Sequence, residues 1–233
     1  MERSEATDVG AAPGSVFITG AARGLGAAIA RRFRAAGRTV VAPTRAELDL
    51  ADPESVRRFI GRPDLEAVDV LINNAGENVL GTIEALPEAQ LRRMFETNVL
   101  SAWSLTRALG GMMCARGRGH IVNIASVYGI KSRRARGAYT ATKAALIGFT
   151  KSAAIEFGPH NVLVNAVAPG FVDTELTRRN NTPEQLEALC GMVPLGRLAQ
   201  PDEIAHLVYW LCSGENTYVT GQTVVIDGGF LVQ

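Results

Sequence analysis

Tyr139 and Lys143 stand four residues apart in Tyr139-Thr140-Ala141-Thr142-Lys143, within a pattern that predicts a helix over Ala138–Phe157. Residues i and i+4 share a helix face, so the phenol and the ammonium are expected to point into one site. A free tyrosine ionises near pH ~10. A neighbouring ammonium favours the phenolate and lowers that value, toward the range where a proton carrier works best. The spacing alone is common in helices; its company gives it weight. Ser126, thirteen positions earlier, follows a predicted strand His120–Ala125. Strand C-termini are where an open α/β sheet places its ligand site, and a hydroxyl there suits a carbonyl oxygen. Asn98 falls inside a predicted helix Pro87–Arg116, although asparagine is a poor helix former. It is either a buried structural hydrogen bonder or a member of a proton relay.

A second constellation lies near the start of the chain. Thr19-Gly20-Ala21-Ala22-Arg23-Gly24-Leu25-Gly26 joins a predicted strand Ser15–Thr19 to a predicted helix Leu25–Ala36. Glycines let the backbone turn sharply and approach a pyrophosphate, whose charge the helix N-terminus favours. Gly20, Gly24 and Gly26 have the spacing G-x-x-x-G-x-G rather than G-x-G-x-x-G. Glycine-rich turns also exist for tight packing alone; the position between first strand and apolar helix favours a dinucleotide. After the second strand, an NAD site would place an acid to accept from the free ribose 2′-hydroxyl. Here that place holds Thr44-Arg45, and Arg23 sits in the glycine turn. Two guanidiniums clamp a 2′-phosphate, so the expected cofactor is NADP(H). The alternative is that Arg45 is a solvated surface charge.

These residues need a scaffold. Short apolar, β-branched runs at Ser15–Thr19, Thr39–Ala42, Val68–Ile72, His120–Ala125, Val162–Val167 and Thr223–Ile226 alternate with helical patterns at Leu25–Ala36, Pro53–Ile60, Pro87–Arg116, Ala138–Phe157 and Pro201–Leu211. The alternation predicts an α/β fold with a single doubly wound parallel sheet, a Rossmann-like three-layer sandwich. One connection is short. Pro43-Thr44-Arg45-Ala46-Glu47 runs straight into Leu48-Asp49-Leu50, too few residues for a helical crossover. Either Leu48–Leu50 is a very short strand or this sheet edge is truncated. The length of 233 residues suits one large domain, expected over residues 15–233 behind a disordered lead-in of residues 1–14. That lead-in lacks the basic end and apolar centre of a signal peptide.

The bulk properties exclude some functions. With 24 Lys+Arg against 23 Asp+Glu, no global field points to nucleic acid or membrane. No segment reaches the ~18 apolar residues of a membrane span. Cys114, Cys190 and Cys212 are odd in number and far apart, which argues against a disulfide framework and for a reducing cytoplasm. His120, His160 and His206 show no ligand spacing, so no metal is expected.

Taken together, the chain resembles the short-chain dehydrogenase/reductase family, and within it the 3-oxoacyl-carrier-protein reductase type. The likeness runs from about Ser15 to Gly229 and is carried by Thr19–Gly26, Asn73–Gly76, Asn98, Ser126, Tyr139 with Lys143, Pro169-Gly170 with Thr174, Pro194-Leu195-Gly196-Arg197, and Thr220-Gly221 through Asp227-Gly228-Gly229. The resemblance implies an enzyme that interconverts a ketone and a secondary alcohol. Tyr139 would be general acid in reduction and base in oxidation. Lys143 would bind the nicotinamide ribose and depress the Tyr139 pKa, Ser126 would polarise the carbonyl, and Asn98 would hold a water that feeds protons through Lys143. Asn74, Ala75 and Gly76 would line the adenosine ribose and sheet centre. Pro169, Gly170, Val172 and Thr174 would fix the nicotinamide amide, and Asp49-Leu50 would touch adenine. The shortened segment before Asp49 departs from the family and predicts a more open adenine pocket.

The resemblance also implies a homotetramer packed through the Pro87–Arg116 and Ala138–Phe157 helices. Met94, Phe95, Trp103, Leu105, Ile147 and Phe149 are apolar residues beyond what one buried face needs. The substrate would be a small-molecule or carrier-linked carbonyl compound. A 3-oxoacyl thioester or polyketide-like ketone stands first, and a sugar, cyclitol or sugar-nucleotide second. A non-catalytic nucleotide-sensing protein is the alternative of another class; it predicts a degraded tetrad, and this one is intact. Lys131, Arg133, Arg134 and Arg136 lie on the loop between Ser126 and Tyr139. They would attract an anionic substrate, unless the loop is simply solvated or in a subunit contact. Thr177–Met192 resembles the family's mobile lid.

Overall fold

The computed structural model describes residues 14–179 and 181–233. Six strands form one sheet in the order β2-β1-β3-β4-β5-β6, all pairs parallel. The strands are β1 (Ser15–Ile18), β2 (Val40–Val41), β3 (Val68–Asn73), β4 (Gly119–Ile124), β5 (Val162–Pro169) and β6 (Thr223–Ile226). The helices are α1 (Gly24–Ala35), α2 (Pro53–Ile60), α3 (Glu88–Phe95), α4 (Ser101–Arg116), α5 (Gly137–Phe157), α6 (Glu175–Arg179), α7 (Pro183–Gly191) and α8 (Pro201–Leu211).

Side chains alternate across a strand, and β1 shows the consequence. Val16 and Ile18 pack on one face with Ile29 and Phe33 of α1 and Ile204, Val208 and Leu211 of α8. Phe17 packs on the other with Phe59, Leu71, Leu105, Leu109 and Met113. With both faces covered, the inner strands read as nearly continuous apolar runs. The two buried layers hold the strand ends, and hence the site, in a fixed frame.

Three expectations need refining. First, Leu48–Leu50 forms no strand. The sheet is truncated, its edge being the two-residue β2, and Leu48 is buried as a plug against the Phe17 layer. Second, Pro87–Arg116 is not one regular helix. A π-helical turn at Glu96–Leu100 joins α3 to α4. There the Ser101 N–H donates to the Glu96 carbonyl, and the Ser101 hydroxyl donates to the Thr97 carbonyl at 2.7 Å. One inserted residue of this kind re-aims a helix face, a device frequent at functional sites. Third, of the expected lead-in over residues 1–14, residues 1–13 lie outside the described residues, whereas Gly14 is anchored. Its N–H donates to Asp69 Oδ2 at 3.1 Å and its carbonyl accepts from Arg38 Nη2 at 2.7 Å. The lid region Thr177–Met192 is mostly helical, with a Thr182 capping box opening α7.

Candidate active site

β4 delivers Ser126, α5 delivers Tyr139 and Lys143, and the π turn delivers Asn98. Beyond β4 the chain makes a short turn at Val127–Gly129, capped by Ser126, whose Oγ accepts from the Tyr128 N–H at 3.1 Å. Ser126 is thereby fixed, with 8% exposure. Lys143 is 3% exposed, and its Nζ donates to the Ile124 carbonyl at 2.6 Å. It lies 5.7 Å from the centroid of the Tyr139 ring. Burial pulls the Lys143 pKa down to about 8, since a dry site disfavours the charged form.

Several groups act on the Tyr139 phenol. Burial pushes its pKa up; the Ser126 hydroxyl and the Arg136 charge pull the other way, and Tyr128 adds to the rise. Arg136, at the N-cap of α5, is thus a cation that acts on the phenol, while Lys143 spends a donor on the Ile124 carbonyl.

Asn98 is 1% exposed and its amide is committed. Oδ1 accepts from the Glu77 N–H at 2.7 Å. Nδ2 donates to the Glu77 carbonyl at 2.9 Å and to Thr142 Oγ1 at 3.0 Å. It clasps the chain after Gly76, where an added Cβ would lie 3.4 Å from both Asn98 Oδ1 and Lys143 Nζ. Gly76 therefore lets the β3 rim come close to Lys143.

The glycine turn fits a dinucleotide pyrophosphate. Gly20 and Gly24 have φ of +66° and +53°, a region costly for residues with a Cβ. A Cβ on Gly26 would meet the Gly20 carbonyl at 2.2 Å. The first turn of α1 has no acid, and its cap position Arg23 makes no side-chain cap bond. Its leading N–H groups thus lack a side-chain partner, which is the condition for holding an anion. Leu25 is half-buried and packs against the α1–α8 layer. Thr19 organises the rim: its Oγ1 accepts from the N–H groups of Asn74 and Ala75, each at 3.0 Å. Asn74 returns a bond from Nδ2 to the Thr19 carbonyl at 2.8 Å.

On the opposite flank, Gly170 donates to the Ile226 carbonyl at 2.9 Å, and a Cβ there would touch Asp227 Cα at 2.8 Å. Pro169 pairs with Ile226 in the sheet, and Val172 bridges Ala199. Thr174 Oγ1 accepts from the Thr177 N–H at 3.2 Å.

A family model described as enoyl-(acyl carrier protein) reductase matches residues 42–231. The 3-oxoacyl-(acyl-carrier-protein) reductase FabG of Vibrio cholerae is 37% identical over 91% of this chain and 95% of its own. The chain belongs to the short-chain dehydrogenase/reductase family. Among solved structures, 4-hydroxyisoleucine dehydrogenase complexed with NADH has a TM-score of 0.88 at 30% identity, covering 94% of this chain and 99% of its own. A gluconate 5-dehydrogenase from Burkholderia cenocepacia, in complex with NADP and tartrate, has a TM-score of 0.83 at 29% identity, covering 94% and 95%.

Beyond β2 the structure shows a group the sequence reading passed over. Glu47 Oε2 accepts from the Thr44 N–H at 2.7 Å and from the Thr44 hydroxyl at 2.8 Å. Those bonds hold its carboxyl below the usual range. The signal was present, since Thr44-Arg45-Ala46-Glu47 has capping-box spacing. Arg45 sits 3.7 Å from Asp49 in an exposed ion pair, and Asp49 Oδ1 accepts from the Ala51 N–H at 3.0 Å. Leu50 is half-buried and Arg23 is exposed.

Also missed was a buried polar ladder behind the site. Asn73 donates to Asn123 Oδ1 at 2.8 Å and to Thr106 Oγ1 at 3.1 Å, and Asn123 donates to Thr150 Oγ1 at 2.9 Å. Asparagine is depleted in strands, so Asn123 within an apolar run was its legible sign. Of the apolar residues expected at a subunit interface, Met94 and Leu105 are fully buried inside the subunit. Leu105 belongs to the layer that covers Phe17 and Met113, and Met94 lies on α3, which packs against α5.

Proposed function

We propose that this enzyme is an NADP(H)-dependent ketoreductase of 3-oxoacyl thioesters, interconverting the ketone and the secondary alcohol. The carrying observation is the meeting of buried Ser126 and Lys143 with half-buried Tyr139 in one corner beside a glycine turn suited to an anion. The FabG relative supports the thioester substrate. The dinucleotide, when bound, supplies or takes up the hydride. Ser126 and Tyr139 both offer O–H donors to one oxygen, which suits a carbonyl rather than a carbon–carbon double bond. Tyr139 gives its proton to that oxygen in reduction and takes one in oxidation. Desolvation by the site keeps it protonated until the oxygen develops charge. Lys143 would hold the nicotinamide ribose hydroxyls and Asn98 would position the Gly76–Glu77 rim beside it.

For the cofactor itself, Asn74, Ala75 and Gly76 would border the adenosine ribose, and Pro169, Gly170, Val172 and Thr174 the nicotinamide amide. Arg23 and Arg45 would meet the 2′-phosphate, a reading supported by the NADP-bound relative. Glu47 on Thr44 opposes it, so the preference is expected to be moderate. A homotetramer fits the partly exposed Trp103, stacked on Phe149 of α5 at 4.7 Å. The deciding assay follows oxidation of NADPH and of NADH by purified protein with a neutral 3-oxoacyl thioester and with keto-sugars. The expected result is turnover of the thioester with NADPH preferred; reduction of keto-sugars alone would overturn the substrate assignment.

A further inference from the structure

Between Ser126 and Tyr139 the chain carries Lys131, Arg133, Arg134 and Arg136. Among the described residues none of the four forms an ion pair, although ten such pairs occur elsewhere in the molecule. Arg136 is not a solvated surface cation. It is half-buried, lies over the Tyr128 ring at 5.4 Å from the centroid, and stands one helical turn before Tyr139. Lys131 Nζ lies 5.0 Å from the centroid of Phe230. Tyr128, Phe171 and Phe230 form a continuous aromatic wall, with centroid spacings of 6.3 and 5.0 Å.

An independent observation concerns Tyr128. The residue is 6% exposed, yet its hydroxyl has no hydrogen-bond partner. Buried polar groups are nearly always paired, so an orphaned phenol beside an unpaired guanidinium marks a place built for a third group. That group must accept from both, and an anion does so most strongly.

We propose that Arg136 and the Tyr128 hydroxyl form an anion subsite adjoining the reacting carbonyl, so that the preferred substrate carries a carboxylate held there. This rests on the reading of Ser126 and Tyr139 as the carbonyl site. The phosphate of a pantetheine arm lies more than a dozen bonds from the 3-oxo carbon, out of reach of a subsite beside the carbonyl, so its thioester serves as the control.

Three substrates suffice: the neutral acetoacetyl N-acetylcysteamine thioester, acetoacetyl phosphopantetheine, and free 4-oxopentanoate. The quantity read is the kcat/KM of each anionic substrate divided by that of the neutral one, because a general loss of turnover cancels in the ratio. Arg136→Gln is expected to lower the 4-oxopentanoate ratio about tenfold or more, the worth of a charge-assisted bond. Arg136→Lys should keep part of it, and Tyr128→Phe should lower it less. A fall confined to 4-oxopentanoate supports the carboxylate subsite, and a fall confined to the phosphopantetheine ester overturns it by placing Arg136 on the path of the arm. An unchanged ratio for both overturns the subsite. If wild-type protein reduces none of the three, the ketoreductase reading itself fails. Calorimetric binding of 4-oxopentanoate to the NADPH-loaded protein then decides the subsite: weaker binding by Arg136→Gln supports it, and no difference from wild type refutes it.

Discussion

The two ends of the proposed cofactor groove are built on opposite principles. At the chemical end, Tyr139 is half-buried and the side chains around it are buried and hydrogen-bonded: Lys143 to Ile124, Asn98 to Glu77 and Thr142, Ser126 to Tyr128. At the adenosine end, Thr44, Arg45 and Glu47 are exposed on a truncated sheet edge whose outer strand has two residues. Interactions in a dry, preorganised site are worth far more than the same contacts in water, where screening and side-chain entropy erode them. Substitutions should therefore have large effects at one end and graded effects at the other, and that contrast can be broken experimentally.

The largest effect belongs to Tyr139. Tyr139→Phe keeps the ring and removes the proton, and should cost roughly two to four orders of magnitude in kcat, the usual worth of a general acid. Binding of NADPH, followed by fluorescence, should survive. Turnover within tenfold of wild type would show that the buried corner is not the chemical site.

Lys143 tests the same end through stability. Its folded pKa, about 8, lies below the 10.5 of a free lysine. Below pH 8 the group is protonated in both states, and the full cost of a buried charge is borne by the fold. Between about 8 and 10.5 the unfolded chain holds more protons than the folded one, so stability contributed by this group rises with pH. Lys143→Met should therefore raise Tm by a few degrees at pH 7, with the gap narrowing toward pH 10, while activity is lost. A variant less stable than wild type at pH 7 would mean that the Ile124 bond outweighs the burial penalty.

Legibility in the sequence followed the same divide. The fold was readable because both faces of the sheet are covered: the apolar runs gave all six strands, and the glycine turn fell where α1 begins. Tyr139, Lys143 and Ser126 were readable because helix spacing and strand ends fix where they point. The sources of the Tyr139 shift were not, because desolvation and the approach of Arg136 are tertiary facts. The π turn at Asn98 was likewise invisible, since Thr97 to Ser101 carries no proline or glycine to announce it. The exposed edge offered two readings of Leu48–Leu50 for want of packing constraints. Glu47 could have been found from its three-residue spacing to Thr44, but charge complementarity to a 2′-phosphate drew attention to the arginines alone.

The smallest expected effect comes from that edge. If Arg23 and Arg45 attract a 2′-phosphate, the Glu47 carboxylate on Thr44 repels it, and also competes for the Thr44 hydroxyl. Its lowered pKa keeps Glu47 charged throughout the neutral range. Glu47→Gln removes the charge and retains an acceptor for the Thr44 N–H, so the turn should persist. The ratio of kcat/KM for NADPH to that for NADH is expected to rise several-fold, below about tenfold because the group is fully exposed and salt screens it. Arg45→Ala should move the ratio the other way, and both shifts should shrink as ionic strength is raised from low salt to about 0.5 M. A Glu47→Gln ratio that falls, or stays fixed at low salt, would place Glu47 outside the field of the ribose. The preference would then rest on Arg23 and the backbone of the glycine turn, and the adenosine end would prove as preorganised as the chemical end.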